Sequence, residues 1–250
     1  MAVPVTAVNA PAILGTGIWF DVSAYDMTIV GNDTNGNSKY GIEVEVSSQG
    51  IVANNQATGG EAGITIFDSG NLKVFNNDVG GSTQAGIKLI QDERRQASIG
   101  SFTEARDPRY MNVVDPKMPW LNENIQVANN VFGNGGAFQL FALDGKTDRA
   151  VDGWNLTVNG NLFNPRPTKT DPTMVAWGKG DHMTVERYET PAALAAAKGP
   201  SWRNAQIPAP KTLAAMAGDR AAYTGTALPL PADVAKATGF VAGAQVLGAN

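Results

Sequence analysis

A chain of 250 residues with 17% charged side chains, 28 glycines and a net charge of −4 suits a turn-dense β-domain. It excludes a charge-rich disordered polymer and the clustered basic surface that a nucleic-acid binder needs. There is no cysteine, so disulfides and thiolate metal sites are excluded, and the single histidine, His182, cannot build a multi-histidine zinc centre.

Residues 1–16 carry neither helix nor strand pattern, and they lack the basic start of a secretory signal. They read as an N-terminal extension or partial cap. An open solenoid end exposes strand edges, so further coils upstream, a homotrimer or a covering subunit is expected at this end. From Gly17 the chain repeats itself. The phrases TGIWF…MTIVGN, YGIEVEV…GIVANN and AGITIF…LKVFNN align on Asn32, Asn55 and Asn77, which are 23 and then 22 residues apart. The frame returns as IQVANN at Asn130 and LTVNGN at Asn161. Each unit holds two short alternating runs joined by turn residues and leaves no room for a helix. That predicts stacked β-coils, a parallel β-helix. Coils lie about 4.8 Å apart, so the five asparagines form one column at a turn, where amides can bond to one another.

Alternation in the first run of each coil points Ile18, Phe20, Ile42, Val44, Ile64, Ile66, Ile87 and Leu89 inward. It points Trp19, Asp21, Glu43, Glu45, Thr65, Phe67, Lys88 and Ile90 outward. Coil four opens as GIKLIQD and is then broken by an insertion over residues 92–124, long enough to be read as a functional loop flanking the outward face. Coil five closes the readable repeat near Pro165. Residues 166–250 read as a helical and loop segment: Thr190-Pro191 before ALAAAKG, Thr212 before LAAMAG, and LPADVAKATG each pair a helix start with a terminal glycine. No run of 18 apolar residues is present, so no helix is expected to span a membrane.

The segments GIEVEVSSQGIVANN and GITIFDSGNLKVFNN resemble the repeats of right-handed parallel β-helix proteins, a group that includes secreted polysaccharide lyases, uronate epimerases and bacteriophage tailspikes. The resemblance covers residues 17–165. It implies an all-β fold, a right-handed single-stranded parallel β-helix of about five coils with a C-terminal helical and loop segment. It also implies a polysaccharide partner and an extracellular or virion-associated location. The fold alone selects no reaction.

Stacking puts Asp21 beside Glu45 at about one coil spacing, with Glu43 two residues along the strand. Carboxylates that close either share a proton or bind a cation, and calcium held by Asp21 and Glu45 is one reading. The column from Glu43 through Thr65 to Lys88 continues the face, and Arg94 and Arg95 enter from the insertion. An acidic cluster facing basic residues matches the needs of β-elimination or epimerisation of a uronate. A cation or arginine neutralises the sugar carboxylate, and Lys88 or Arg94 acts as base. Trp19 and Phe67 offer stacking surfaces for sugar rings, and Arg95 a further substrate contact. Hydrolysis by two neighbouring carboxyls is a third chemistry compatible with the same residues. They read equally as solvent-facing charges on a non-catalytic structural or adhesive module. The sequons at Asn32 and Asn155 follow from a composition rich in Asn and Thr, and His182 reads as a loop residue.

Overall fold

The structure, a computed structural model, describes residues 15–94, 119–165, 171–181 and 183–249. Arg95 and His182 fall outside these residues, as do most of the N-terminal extension and most of the insertion.

Five coils each supply three strands. Coil one holds β1 (Ile18–Phe20), β2 (Tyr25–Val30) and β3 (Asp33–Asn35), and coil two β4 (Tyr40–Glu45), β5 (Ser48–Ala53) and β6 (Gln56–Thr58). Coil three holds β7 (Ala62–Phe67), β8 (Gly70–Phe75) and β9 (Asp78–Gly80), and coil four β10 (Ala85–Gln91), β11 (Ile125–Ala128) and β12 (Val131–Phe132). Coil five holds β13 (Phe138–Asp144), β14 (Thr157–Asn159) and β15 (Leu162–Phe163). Equivalent strands pair in parallel to give three sheets: a long one through β1, β4, β7, β10 and β13, a second through β2, β5, β8, β11 and β14, and a third through β3, β6, β9, β12 and β15. The fold is the right-handed parallel β-helix that the repeat predicts. The third strand of each coil is only two or three residues long, too short to show alternation, and the repeat therefore reads from sequence as two runs.

Register explains the composition of the repeat. Ile42 pairs with Ile64 and Val44 with Ile66, and Ile87 and Leu89 extend both files inward. These side chains have no exposed surface, so the core is a set of aliphatic files, widened at Phe132 and Phe163, whose rings stack at 4.6 Å. The glycine opening each coil is set by backbone approach: a Cβ on Gly63 would lie 2.7 Å from the Ala57 carbonyl oxygen and 2.9 Å from that of Gly86. The corner before the third sheet is built by a left-handed residue followed by an asparagine. Gly31, Asn54, Asn76, Asn129 and Gly160 all have positive φ there, and only glycine and asparagine take that conformation readily. The next residues, Asn32, Asn55, Asn77, Asn130 and Asn161, form a continuous file. Each side-chain Nδ2 of the first four donates to the Oδ1 of the next at 2.9–3.0 Å.

Sequence spacing closes the repeat near Pro165, whereas the parallel pairing continues past it. β16 (Val175–Gly178) adds to β13, and β18 (Ala205–Gln206) adds to β15. Asn204 extends the file by accepting from Asn161 at 3.0 Å. The period is lost to the eye because β17 (Val185–Tyr188) folds back antiparallel on β16 and α1 (Pro191–Lys198) follows it. The Thr190 hydroxyl caps α1 by accepting from the Ala193 amide. Beyond β18 come α2 (Leu213–Met216), α3 (Arg220–Tyr223) and α4 (Ala232–Thr238). They run back along the outside of the coils: Leu230, Val234 and Ala235 pack on Ala53, Phe75 and Ala128, while Met216 and Leu247 pack on Val131 and Leu162. Among the described residues no helix is long and apolar enough to cross a membrane.

Candidate functional site

The outer face of the long sheet carries the charged residues, because its inward positions are taken by isoleucine, valine and leucine. Pairing of β1, β4, β7 and β10 sets Trp19, Glu43, Thr65 and Lys88 in one file, and Phe141 of β13 follows Lys88. Glu45, Phe67 and Ile90 form the adjacent file, with Asp21 one residue beyond β1. The outward set from alternation is thus brought onto one surface.

Glu43 faces outward yet is only 4% exposed. Thr16 donates its hydroxyl to Glu43 Oε2 at 3.0 Å. Burial, and secondarily the charge of Glu45, pushes the Glu43 carboxyl up to about 7, so it titrates near neutrality. Burial also raises Asp21 above the usual carboxylate range, with Glu45 adding to the shift. Thr65, between Glu43 and Lys88, is fully buried and its hydroxyl lacks a hydrogen-bond partner.

Lys88 donates to Gln84 Oε1 at 2.8 Å, and its ammonium lies 5.6 Å from the centroid of the Tyr40 ring. Burial holds its pKa below the ordinary lysine value, with Lys39 pushing the same way against the charges of Glu61 and Glu43. Lys39 lies over the same Tyr40 ring at 4.8 Å. Tyr40 itself is raised well above the usual phenol range by burial and by Glu43, Glu61 and Glu45, so at neutral pH it holds its proton. Alternation alone does not single Tyr40 out: it shares the parity of Ile42.

Arg94 has a different character from that expected of a base. Its Nη2 is 2.6 Å from Glu45 Oε1, and its Nε is 3.1 Å from both Asp68 Oδ2 and Asp92 Oδ2. Burial by itself would lower its pKa, but Glu45, Asp68 and Asp92 together hold it above the ordinary value. A guanidinium stabilised in its charged form is a poorer proton acceptor than a lysine whose pKa is lowered. The Arg94 guanidinium also lies over the Phe67 ring, 4.9 Å from the centroid, so one face of Phe67 is engaged. Asp68, at the corner after β7, has no exposed surface; burial and then Asp92 push it up to about 9. Its Oδ2 faces the Arg94 guanidinium, whose charge opposes that rise. Asp68 Oδ1 accepts from Gln91 Nε2, which also donates to the Trp120 carbonyl, while Gln91 Oε1 accepts from the Asn122 amide. These bonds tie both ends of the insertion to the coil beneath.

Among the described residues, no three His, Cys, Asp or Glu side chains converge in a group able to hold a metal ion. Both Glu45 oxygens have protein partners, Arg94 on one and the Trp19 indole on the other. The residues that sequence reasoning did not select are Tyr40, Lys39, Thr16 and Asp68. A lysine flanking a tyrosine just before a coil-opening glycine was the available signal for the first two.

The sequence matches a family described as "Right handed beta helix region" over residues 12–186. Among solved structures it is similar to a mutant of the periplasmic alginate epimerase AlgG, at 17% identity and a TM-score of 0.39. The alignment covers 64% of this chain and 34% of that one, so the chain spans about a third of the other's length. No curated protein matches the sequence.

Proposed function

Because the chain belongs to the right-handed β-helix family, we propose that its long-sheet face binds an acidic polysaccharide and removes a proton from the carbon beside a uronate carboxylate. The observation carrying this reading is the file Glu43, Thr65, Lys88 in parallel register, which sets a buried carboxyl and a lysine of lowered pKa on one surface beside the proton-bearing Tyr40. Lys88 in its neutral form takes the proton. The electron pair left on carbon is stabilised as an enolate of the uronate carboxylate, whose charge Lys39 is near enough to the same ring to offset. Return of a proton to the opposite face, from Tyr40 or the protonated Glu43, gives the epimer. Expulsion of the neighbouring glycosidic oxygen, protonated as it leaves, gives chain cleavage with a new carbon–carbon double bond.

Hydrolysis is less well supported, since Glu45 is neutralised by Arg94 and a retaining pair needs a free nucleophile. Calcium at Asp21 and Glu45 would have to displace Arg94, and its involvement is read by running the assay with and without calcium. A polysaccharide substrate accords with action outside the cytoplasm.

The test is incubation with uronate-containing and neutral polysaccharides in D₂O. It follows deuterium uptake into the sugar, ultraviolet absorbance of unsaturated uronate, and chain length. Deuterium uptake or absorbance by the wild type, reduced about 10³-fold in Lys88→Met with an unchanged melting temperature, supports the reading. Chain shortening without either signal means hydrolysis. A second reading, a structural or adhesive module that assembles through its first coil, is favoured by one observation: Trp19, Val22 and Tyr25 of that coil are all exposed. Inertness toward every glycan together with a stable trimer in solution would establish it instead.

A further inference from the structure

Trp19 is 57% exposed, which for an aromatic residue at the outer end of a sheet would ordinarily mean a freely rotating side chain. Its indole is instead anchored. Nε1 donates to Glu45 Oε2 at 3.0 Å, diagonally across the β1–β4 pair. The other oxygen of the same carboxylate, Oε1, is held at 2.6 Å by Arg94 Nη2. Arg94 is fixed in turn: Nε lies 3.1 Å from Asp68 and Asp92, its backbone amide donates to Asp92 Oδ1 at 2.7 Å, and its guanidinium carbon lies over the Phe67 ring. A chain of contacts therefore runs from the buried Asp68 corner to the exposed indole, with both oxygens of Glu45 occupied at its middle.

An acid with both oxygens held is badly placed to exchange protons with a substrate but well placed to orient a neighbour. We infer that Glu45, locked by Arg94, is a positioning residue that holds the Trp19 indole as a preset stacking platform for a sugar ring of the acidic glycan. This rests on the proposed function for the identity of the ligand. The anchoring uses the indole edge through Nε1, so it does not itself occupy the ring faces that stack on a sugar, and the residue is 57% exposed. Holding the ring in advance removes the cost of ordering it on binding. Trp19 shares the file of Glu43, Thr65 and Lys88, so a ring stacked on it lies at the same sheet face, with the indole three coil steps from the lysine.

The test separates anchoring from binding. Protein labelled with 5-fluorotryptophan gives one ¹⁹F resonance per tryptophan, and Trp19→Phe identifies the Trp19 line. Glu45→Ala should move that line toward the position and narrow width of an exposed, mobile indole, while Glu45→Gln, which keeps an acceptor oxygen but loses the charge, should move it less. Titration of the wild type with tetragalacturonate should shift the Trp19 line. Glu45→Ala should weaken that binding about tenfold and raise KM with kcat nearly unchanged, whereas loss of a catalytic acid would lower kcat. A Trp19 line unaffected in Glu45→Ala overturns the anchoring whatever the glycan does. A line that moves in Glu45→Ala but does not respond to tetragalacturonate in the wild type overturns the platform role. Deuterium uptake into the glycan in that same case leaves the proposed reaction standing.

Discussion

Glu43 shows how a single residue on this face departs from its ordinary behaviour. Its folded-state carboxyl titrates at about 7 against an ordinary 4.5, so between those values the folded chain holds a proton that the unfolded chain has released. The sign follows: wild-type stability falls as pH rises from about 4.5 to about 7, by up to about 3 kcal/mol from this group. Asp68 acts with the same sign over a wider window, from 3.8 to about 9. Glu43→Gln should therefore flatten the fall below pH 7 and leave the fall above it. Urea unfolding midpoints at pH 5, 7 and 9 measure this directly, and an unchanged slope below pH 7 would show that Glu43 is solvated. Alternation identified Glu43, Glu45, Trp19 and Lys88 as outward residues. It did not indicate that Glu43 is buried or that a guanidinium lies over Phe67, because both depend on partners, Thr16 and Arg94, that lie outside the strand pattern.

At the scale of the element, the coil is specified twice, by its corner and by its opening glycine. Asn77 Oδ1 accepts from the backbone and side chain of Asn55, and its Nδ2 donates to the Val52 carbonyl and to Asn130. Leucine here would strand buried donors and acceptors on the coils either side, two and four, each costing about 1–3 kcal/mol. Asn77→Leu should destabilise by roughly 4 kcal/mol in chemical unfolding. Asn155→Gly is the contrast: the site is exposed and already left-handed at φ 52°, so the change should stay within about 0.5 kcal/mol. Gly63→Ala tests close packing of the coils. The added methyl meets two carbonyl oxygens of neighbouring backbone, neither of which is a flexible side-chain tip, and a loss of about 2–3 kcal/mol is expected. A melting temperature within a degree of wild type would mean that the coils can separate locally to admit it.

For the molecule as a whole, the C-terminal segment covers apolar surface that the coils cannot bury themselves. Lys198, at the end of α1, bonds Asp152 at 2.7 Å and Glu186 at 2.7 Å, and the Trp177 indole donates to the same Asp152 at 2.9 Å. This network fixes α1 to coil five and to the β16–β17 pair, with Leu194 inserted into the main core. Further on, Lys73 pairs with Asp233 at 2.5 Å, and Arg220 pairs with Asp78, which fastens the returning helices to the second and third sheets. Removing residues 208–249 should uncover Phe75 and Ala128 on the second sheet and Val131 and Leu162 on the third, apolar surface of the kind that drives association. The truncated chain is expected to bind an apolar dye and to self-associate on size exclusion while keeping its β-type circular dichroism. A monomeric, dye-silent product would show that this segment is dispensable.

The amino-acid order by itself determined the coil, its inward files and its asparagine corner, because alternation, period and tolerance of a left-handed backbone are local properties written within 22 or 23 residues. Parallel stacking then follows, since each coil can bury its apolar files only against a near copy of itself. Tertiary structure alone decided which charges meet. Arg94 is 49 residues from Glu45 in the chain, by their numbers, and reaches it only because coil three alone lies between them and the insertion turns back at Asp92. The strands that continue the first and third sheets past coil five were hidden in the same way: Val175–Gly178 and Ala205–Gln206 are too short and too widely separated to show a period. They become strands because the edges of coil five supply the hydrogen bonds.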